Sequence, residues 1–119
     1  MVTNWTGMVA FYGTDDLEKT HKFYHELLGL NLYKDQGLCK IYSVREGGKI
    51  GFCSHLEVLT KEKSPIITLL TDDVDKVYKS LINFGLDVPK PKVNPKFNIY
   101  HFFTKDPNGY SLEIQKFLD

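Results

Sequence analysis

The chain has 119 residues, 15 basic and 15 acidic side chains, and a formal net charge of zero. One domain with a real core is expected at this length, and 42% apolar content is too high for disorder. Balanced charge argues against nucleic acid or an anionic membrane surface as partner. The lysines Lys90, Lys92 and Lys96 read as a solvated loop.

In chain order, the first expected strand is Met8 to Tyr12. The segment before it, from Met1 to Trp5, carries neither a basic start nor an apolar run, so no secretory signal is expected. No stretch approaches the roughly 20 apolar residues of a membrane span. Thr14-Asp15-Asp16-Leu17-Glu18-Lys19 then opens a helix over about 15–28. Asp15 is placed to cap it, with Glu18 three residues on. Leu17, Thr20, Tyr24, Leu27 and Leu28 make its apolar stripe, with Phe23 at the edge. Gly29 suits its close, and a short strand over 30–34 follows.

Leu38 to Val44 and Lys49 to His55 read as a hairpin around Arg45-Glu46-Gly47-Gly48. A four-residue turn there sends Cys39 and Cys53 to opposite faces, which argues against a disulfide. Two thiols acting as small hydrophobes fit a reducing cytoplasm. Glu57 to Ser64 reads as a charged linker.

The second half repeats the first. Thr71-Asp72-Asp73-Val74-Asp75-Lys76 lies 57 residues after its counterpart and follows an apolar run, Ile66 to Leu70. It opens a helix over about 72–84, capped by Asp72, with Val74, Val77, Tyr78, Leu81 and Phe84 inward and Gly85 at the close. A short strand over 86–88 follows. A last hairpin runs from Asn98 to Thr104, through Asp106-Pro107-Asn108-Gly109, to Tyr110–Lys116. A period near half the chain predicts two copies of one β-α-β-β-β unit. The expected class is therefore α+β, one domain over 1–119 built of modules at about 1–58 and 64–119.

Three segments give a resemblance. Asp16-Leu17-Glu18 with Phe23-Tyr24 and Leu27-Leu28-Gly29-Leu30 is similar to the opening helix of the vicinal oxygen chelate superfamily, which includes glyoxalase I, bleomycin-resistance proteins and extradiol dioxygenases. Asp73-Val74-Asp75 with Phe84-Gly85 resembles its second copy. Asp106-Pro107-Asn108-Gly109-Tyr110-Ser111-Leu112-Glu113 resembles its closing hairpin. The resemblance implies two tandem βαβββ modules whose curved mixed sheets form a small-molecule cleft, and a homodimer. It also implies four metal-ligand positions, on the first and last strand of each module, where a divalent ion would act as a Lewis acid.

Carried onto this chain, those positions hold Val9, Phe52, Ile66 and Glu113. Three of the four have no donor, so no metal or other cofactor is expected. A slip of one residue would bring in Cys53 in place of Phe52.

The expected ligand-binding set is Phe11, Phe52, Thr68, Tyr100, Phe102 and Glu113. Strand alternation puts Phe11 with Val9 and Thr68 with Ile66. The simplest register of the last hairpin puts Phe102 opposite Glu113, with Tyr100 on the same face and His101 turned away. Glu113 is the candidate catalytic acid or base, or the grip on a cationic ligand. His21 and His25 stand one helical turn apart on an exposed flank, and His55 ends a strand.

Two functional readings follow. One is a metal-free binder of a small organic molecule, similar to drug-sequestering resistance proteins. The other is a lyase, isomerase or dioxygenase of the same superfamily. The enzyme needs a second ionisable group near Glu113, and the sequence offers no obvious one. An interaction module is a third possibility, favoured by the absence of a pocket. Ligand identity and dimer mode are not written in the sequence.

Overall fold

The computed structural model describes residues 4–60 and 65–119. The first three residues of the N-terminal segment and positions 61–64 of the expected linker lie outside these. The chain divides into two compact units, Met1–Leu59 and Thr60–Asp119.

The first unit runs β1 (Met8–Gly13), α1 (Leu17–His21), a π-helical continuation (Lys22–Leu27), β2 (Asn31–Asp35), β3 (Cys39–Ser43), a 3₁₀ turn (Arg45–Gly47) and β4 (Gly48–Cys53). The second runs β5 (Ile66–Leu70), α2 (Val74–Phe84), β6 (Lys92–Asn94), β7 (Ile99–Lys105) and β8 (Ser111–Phe117). Each forms a four-stranded sheet of the same order, β1-β4-β3-β2 and β5-β8-β7-β6. In each the first strand lies parallel to the last and the remaining pairs are antiparallel. The repeat in the sequence is thus a repeat of topology, two tandem βαβββ modules of an α+β fold.

The repeated Thr-Asp-Asp segment does the same work twice, one residue later than expected. Asp16, not Asp15, caps α1 by accepting from Lys19 N (3.0 Å), and Asp73, not Asp72, caps α2 from Lys76 N (3.1 Å). Thr14 and Thr71 accept from the cap residue's own N–H, at 3.2 and 3.1 Å. A threonine two residues ahead of the aspartate tightens the turn, so the third residue of each segment becomes the cap.

The first helix widens after His21. Leu28 N donates to Phe23 O, a five-residue span, and this wider turn brings Phe23 and Tyr24 both inward. Tyr24 stacks on Phe52 with ring centroids 4.6 Å apart. In the second unit Val74 and Leu81 are buried, and Tyr78 meets Phe102 edge-on. The strand expected over 86–88 forms instead at Lys92–Asn94. Pro89 and Pro91 lack the N–H that a ladder needs, so pairing with β7 begins after them.

Two hairpins set the registers that matter. In the first, Cys39 pairs directly with Cys53, and the two are joined by a disulfide. This corrects the expectation of opposed faces. The turn glycine in the left-handed region is Gly47 (φ 84°), with Gly48 already in β4. In the second, residues 106–110 form a five-residue connection, so that Lys105 pairs with Ser111 and Phe103 with Glu113. The Asp106 carboxylate holds that loop, accepting from Asn108 N and Tyr110 N, both at 2.9 Å.

Candidate functional site

Period-two alternation gives each sheet two faces. In the second unit one face carries Phe102, Leu112 and Ile114, buried on the side of α2. The opposite face carries Ile99, His101 and Phe103 from β7 and Glu113, Gln115 and Phe117 from β8. With Asn94 and Phe97 these line a hollow of about 430 Å³. Its walls are largely aromatic and aliphatic, and its floor is polar.

Glu113 is the centre of that floor. It is only 8% exposed, and a buried carboxyl group must be hydrogen-bonded to be tolerated. Thr68, beside it on β5, donates its hydroxyl to Oε1 at 2.8 Å. His101 Nδ1 lies 2.7 Å from Oε2. In the tautomer that carries its proton on Nδ1 the ring donates to the carboxyl group and leaves Nε2 for an incoming group. Phe103 packs edge-on against the His101 ring, with centroids 5.4 Å apart.

This arrangement corrects several expectations. Tyr100 and Phe102 do not face Glu113. The five-residue connection shifts the register by one, and such a shift exchanges the two faces of a strand. Tyr100 instead donates its hydroxyl to Asp75 on α2. That bond, more than burial, holds its pKa above the ordinary tyrosine value.

His101 and Phe103, set aside by the simpler register, stand in the hollow. The missed signal was Tyr110. Counted as loop rather than strand, it supplies the fifth residue of the connection, and it is buried with its N–H on Asp106.

Phe52 is also displaced from the expected set. It is fully buried and stacked between elements of the first unit's core. The counterpart of Glu113 there is Gly51, which pairs with Phe11 as Glu113 pairs with Thr68. The reason is the turn. Gly47 (φ 84°) matches Gly109 (φ 92°) in conformation, so the strand position four residues on is 51 rather than 52. The Phe11 ring covers Gly51 so closely that a Cβ would sit 2.6 Å from Phe11 Cδ1. Phe11 therefore belongs to the first unit's surface, and the hollow lies wholly in the second. Of the expected ligand-binding residues, Glu113 lines the hollow and Thr68 supports it.

The four family metal positions are thus Val9, Gly51, Ile66 and Glu113. Two aliphatic side chains and a glycine bring no donor atom, and both oxygens of Glu113 are engaged. This donor set does not fit a divalent ion held in the family's manner.

The other histidines have local partners. His21 Nδ1 lies 2.8 Å from Tyr42 Oη, and His25 Nδ1 lies 2.7 Å from Leu30 O. The two rings stack at 4.9 Å. Burial, then the nearby His25 and Lys40, lowers the pKa of His21. Burial pushes Tyr42 up to about 12.

Comparison with known proteins agrees with this architecture. The Glyoxalase/Bleomycin resistance protein/Dioxygenase superfamily profile matches residues 6–114, and the chain belongs to that superfamily. Among solved structures, it is similar to TnmS3, an antibiotic binding protein from Streptomyces sp. CB03234, at 23% identity and TM-score 0.78, covering 98% of each chain. A glyoxalase/bleomycin resistance protein/dioxygenase from Nocardioides aligns at 19% identity and TM-score 0.73, over 100% of this chain and 87% of that one. Lactoylglutathione lyase from Agrobacterium tumefaciens aligns at 19% identity and TM-score 0.72, over 93% and 92%. At these identities the likeness is one of fold. No curated protein matches the chain. Among the described residues, no helix is long and apolar enough to cross a membrane.

Proposed function

We propose that this protein binds a small planar organic molecule in the hollow of its second module, without a metal. The observation that carries this reading is the hollow itself. Its volume of about 430 Å³ falls in the range of small-molecule sites, and few polar groups converge in it on an apolar wall. Phe97, Phe103 and Phe117 offer ring faces for stacking. His101 Nε2 offers a lone pair to a hydroxyl, and the amides of Asn94 and Gln115 can fix orientation. The ligand class is therefore a planar aromatic bearing a hydroxyl. An antibiotic-binding protein of the same fold lends support, as does the lack of donors at Val9, Gly51 and Ile66.

Calorimetric titration with a panel of hydroxylated aromatics tests the proposal. Binding is expected for some members, weakened about tenfold or more by Phe103→Ala. That loss corresponds to the ~0.5–1.5 kcal/mol of an aromatic contact plus its buried area. His101→Ala should weaken hydroxylated ligands more than their deoxy analogues. Binding that ignores both substitutions, or an absence of binding across the panel, would overturn the reading. We also read the protein as a homodimer, which light scattering on the purified chain checks; the cytoplasmic reading loses its support from free thiols, because Cys39 and Cys53 are joined.

One observation favours a second reading, a lyase or isomerase. The Glu113–His101 pair is the acid–base couple that such an enzyme needs, with the carboxylate orienting the imidazole and Nε2 free to take a proton. Turnover of a bound ligand, reduced about 10²–10⁴-fold by His101→Ala, would establish it.

A further inference from the structure

We propose that Cys39, Cys53 and His55, when the two cysteines are reduced, form a binding site for a thiophilic metal ion of the zinc class. The site is in the first unit and is independent of the hollow in the second. Three observations carry it. Cys39 and Cys53 face each other directly across the β3–β4 ladder, so both sulfurs are presented on one side of the sheet at one end of the hairpin. His55 lies in the turn that leaves β4, where its Nδ1 is 3.8 Å from Cys39 Sγ. The three donor atoms all lie within 4.8 Å of one another.

That spacing suits a tetrahedral ion. With Zn–S near 2.3 Å and Zn–N near 2.0–2.1 Å, the sulfurs would stand roughly 3.8 Å apart, and each about 3.5 Å from the nitrogen. The existing Cys39–His55 distance already approaches this. Once the bond between them is reduced, the two sulfurs must turn apart about their side-chain torsions, and the rest of the adjustment falls on His55, an exposed side chain beyond the end of its strand. The cysteines are anchored, at 7% and 2% exposure. Two thiolates and an imidazole make a soft, borderline donor set, which selects zinc-like ions over magnesium or calcium. Three protein ligands leave a fourth position open to solvent.

The disulfide gates the site. While the sulfurs are bonded to each other, neither is a thiolate, and the thiolate is the form that ligates metal. A dithiol reductant delivers two electrons and two protons. The Cys39–Cys53 bond breaks, two thiols form, and the reductant leaves as its own disulfide. The ion then displaces the two thiol protons, so affinity rises with pH.

The test uses the full chain, reduced with a phosphine and titrated anaerobically with Co²⁺ as a spectroscopic stand-in. One equivalent should produce thiolate-to-cobalt charge-transfer absorption and the intense visible bands of a tetrahedral ion, both removed by added Zn²⁺. The oxidised protein should show neither. His55→Ala, a change at an exposed position, should weaken binding about tenfold or more while leaving the circular dichroism unchanged. Glu113→Gln, in the other unit, should bind like the parent. No charge-transfer band at one equivalent, equal binding by the oxidised chain, or unaltered affinity in His55→Ala would overturn the proposal. So would loss of binding in Glu113→Gln, which would move the ion to the second module. If reduction loosens the first unit, recovery of its circular dichroism on adding Zn²⁺ supports the site, and no recovery counts against it.

Discussion

Glu113 shows what a single position can settle. A carboxylate flanked by Leu112 and Ile114 stands out on its strand, and its place four residues after Gly109 matches the superfamily's last-strand ligand position, which makes it the candidate. Its partners are less legible. Thr68 follows from simple alternation on β5, whereas His101 depends on a register that the turn decides. His21 and Tyr42 illustrate the same limit in the first unit, where a histidine read as an exposed flank is bonded to a buried phenol. Because burial and its neighbours lower the pKa of His21, the unfolded chain takes up that proton first as pH falls. Stability is therefore fully present above about pH 6.5 and declines as pH drops from there through the folded value. The slope should be shallow, since the ring is only half-buried. Tyr42, held up to about 12, acts at the other end, with stability lost as pH rises from about 10 towards 12. Urea midpoints measured from pH 5 to 8 should flatten in His21→Gln. An unchanged slope would show that other groups set it.

The element that matters most is the β7–β8 hairpin. Its strands are apolar on one face and mixed on the other, so neither composition nor alternation alone says which face meets α2. Five loop residues instead of four decide it, through the carboxylate of Asp106 and the burial of Tyr110. Asp106→Ala should leave the buried Tyr110 N–H and the part-buried Asn108 N–H without their acceptor, and cost about 1–3 kcal/mol for the buried one. The check is chemical denaturation together with ligand titration. If Asp106 sets the register, the substitution also weakens binding at His101 and Glu113, which lie outside its reach. A loss of stability with full binding would assign it to the loop alone. The helix starts tell a milder version of this story. The Thr-Asp-Asp repeat announces two helices, and the threonine bond moves each cap by one residue.

On the scale of the whole chain, two units share one topology but are held differently. Only the first contains a disulfide, closing a loop of sequence separation 14. Loop-closure entropy for such a span is worth about 3 kcal/mol. Reduction should therefore lower the stability of the first unit by about that amount, read as earlier hydrogen exchange in β3 and β4 with β7 and β8 unaltered. Equal exchange in both redox states would mean that the link constrains little.

Sequence alone determined the duplication, the order of strands and helices and the superfamily, and it pointed to Glu113 as a candidate. Each of these rests on local signals, such as capping residues, periodicity and turn glycines, that act within a few positions of one another. The tertiary structure decided which residues stand together. A one-residue difference in a turn is nearly invisible in composition, yet it exchanges the faces of a strand. It put His101 and Phe103 where Tyr100 and Phe102 were expected, and Gly51 where Phe52 was expected. It also set Cys39 opposite Cys53. Pairing across strands is a long-range property, and hydrogen-bond register, not the identity of the residues being paired, is what fixes it.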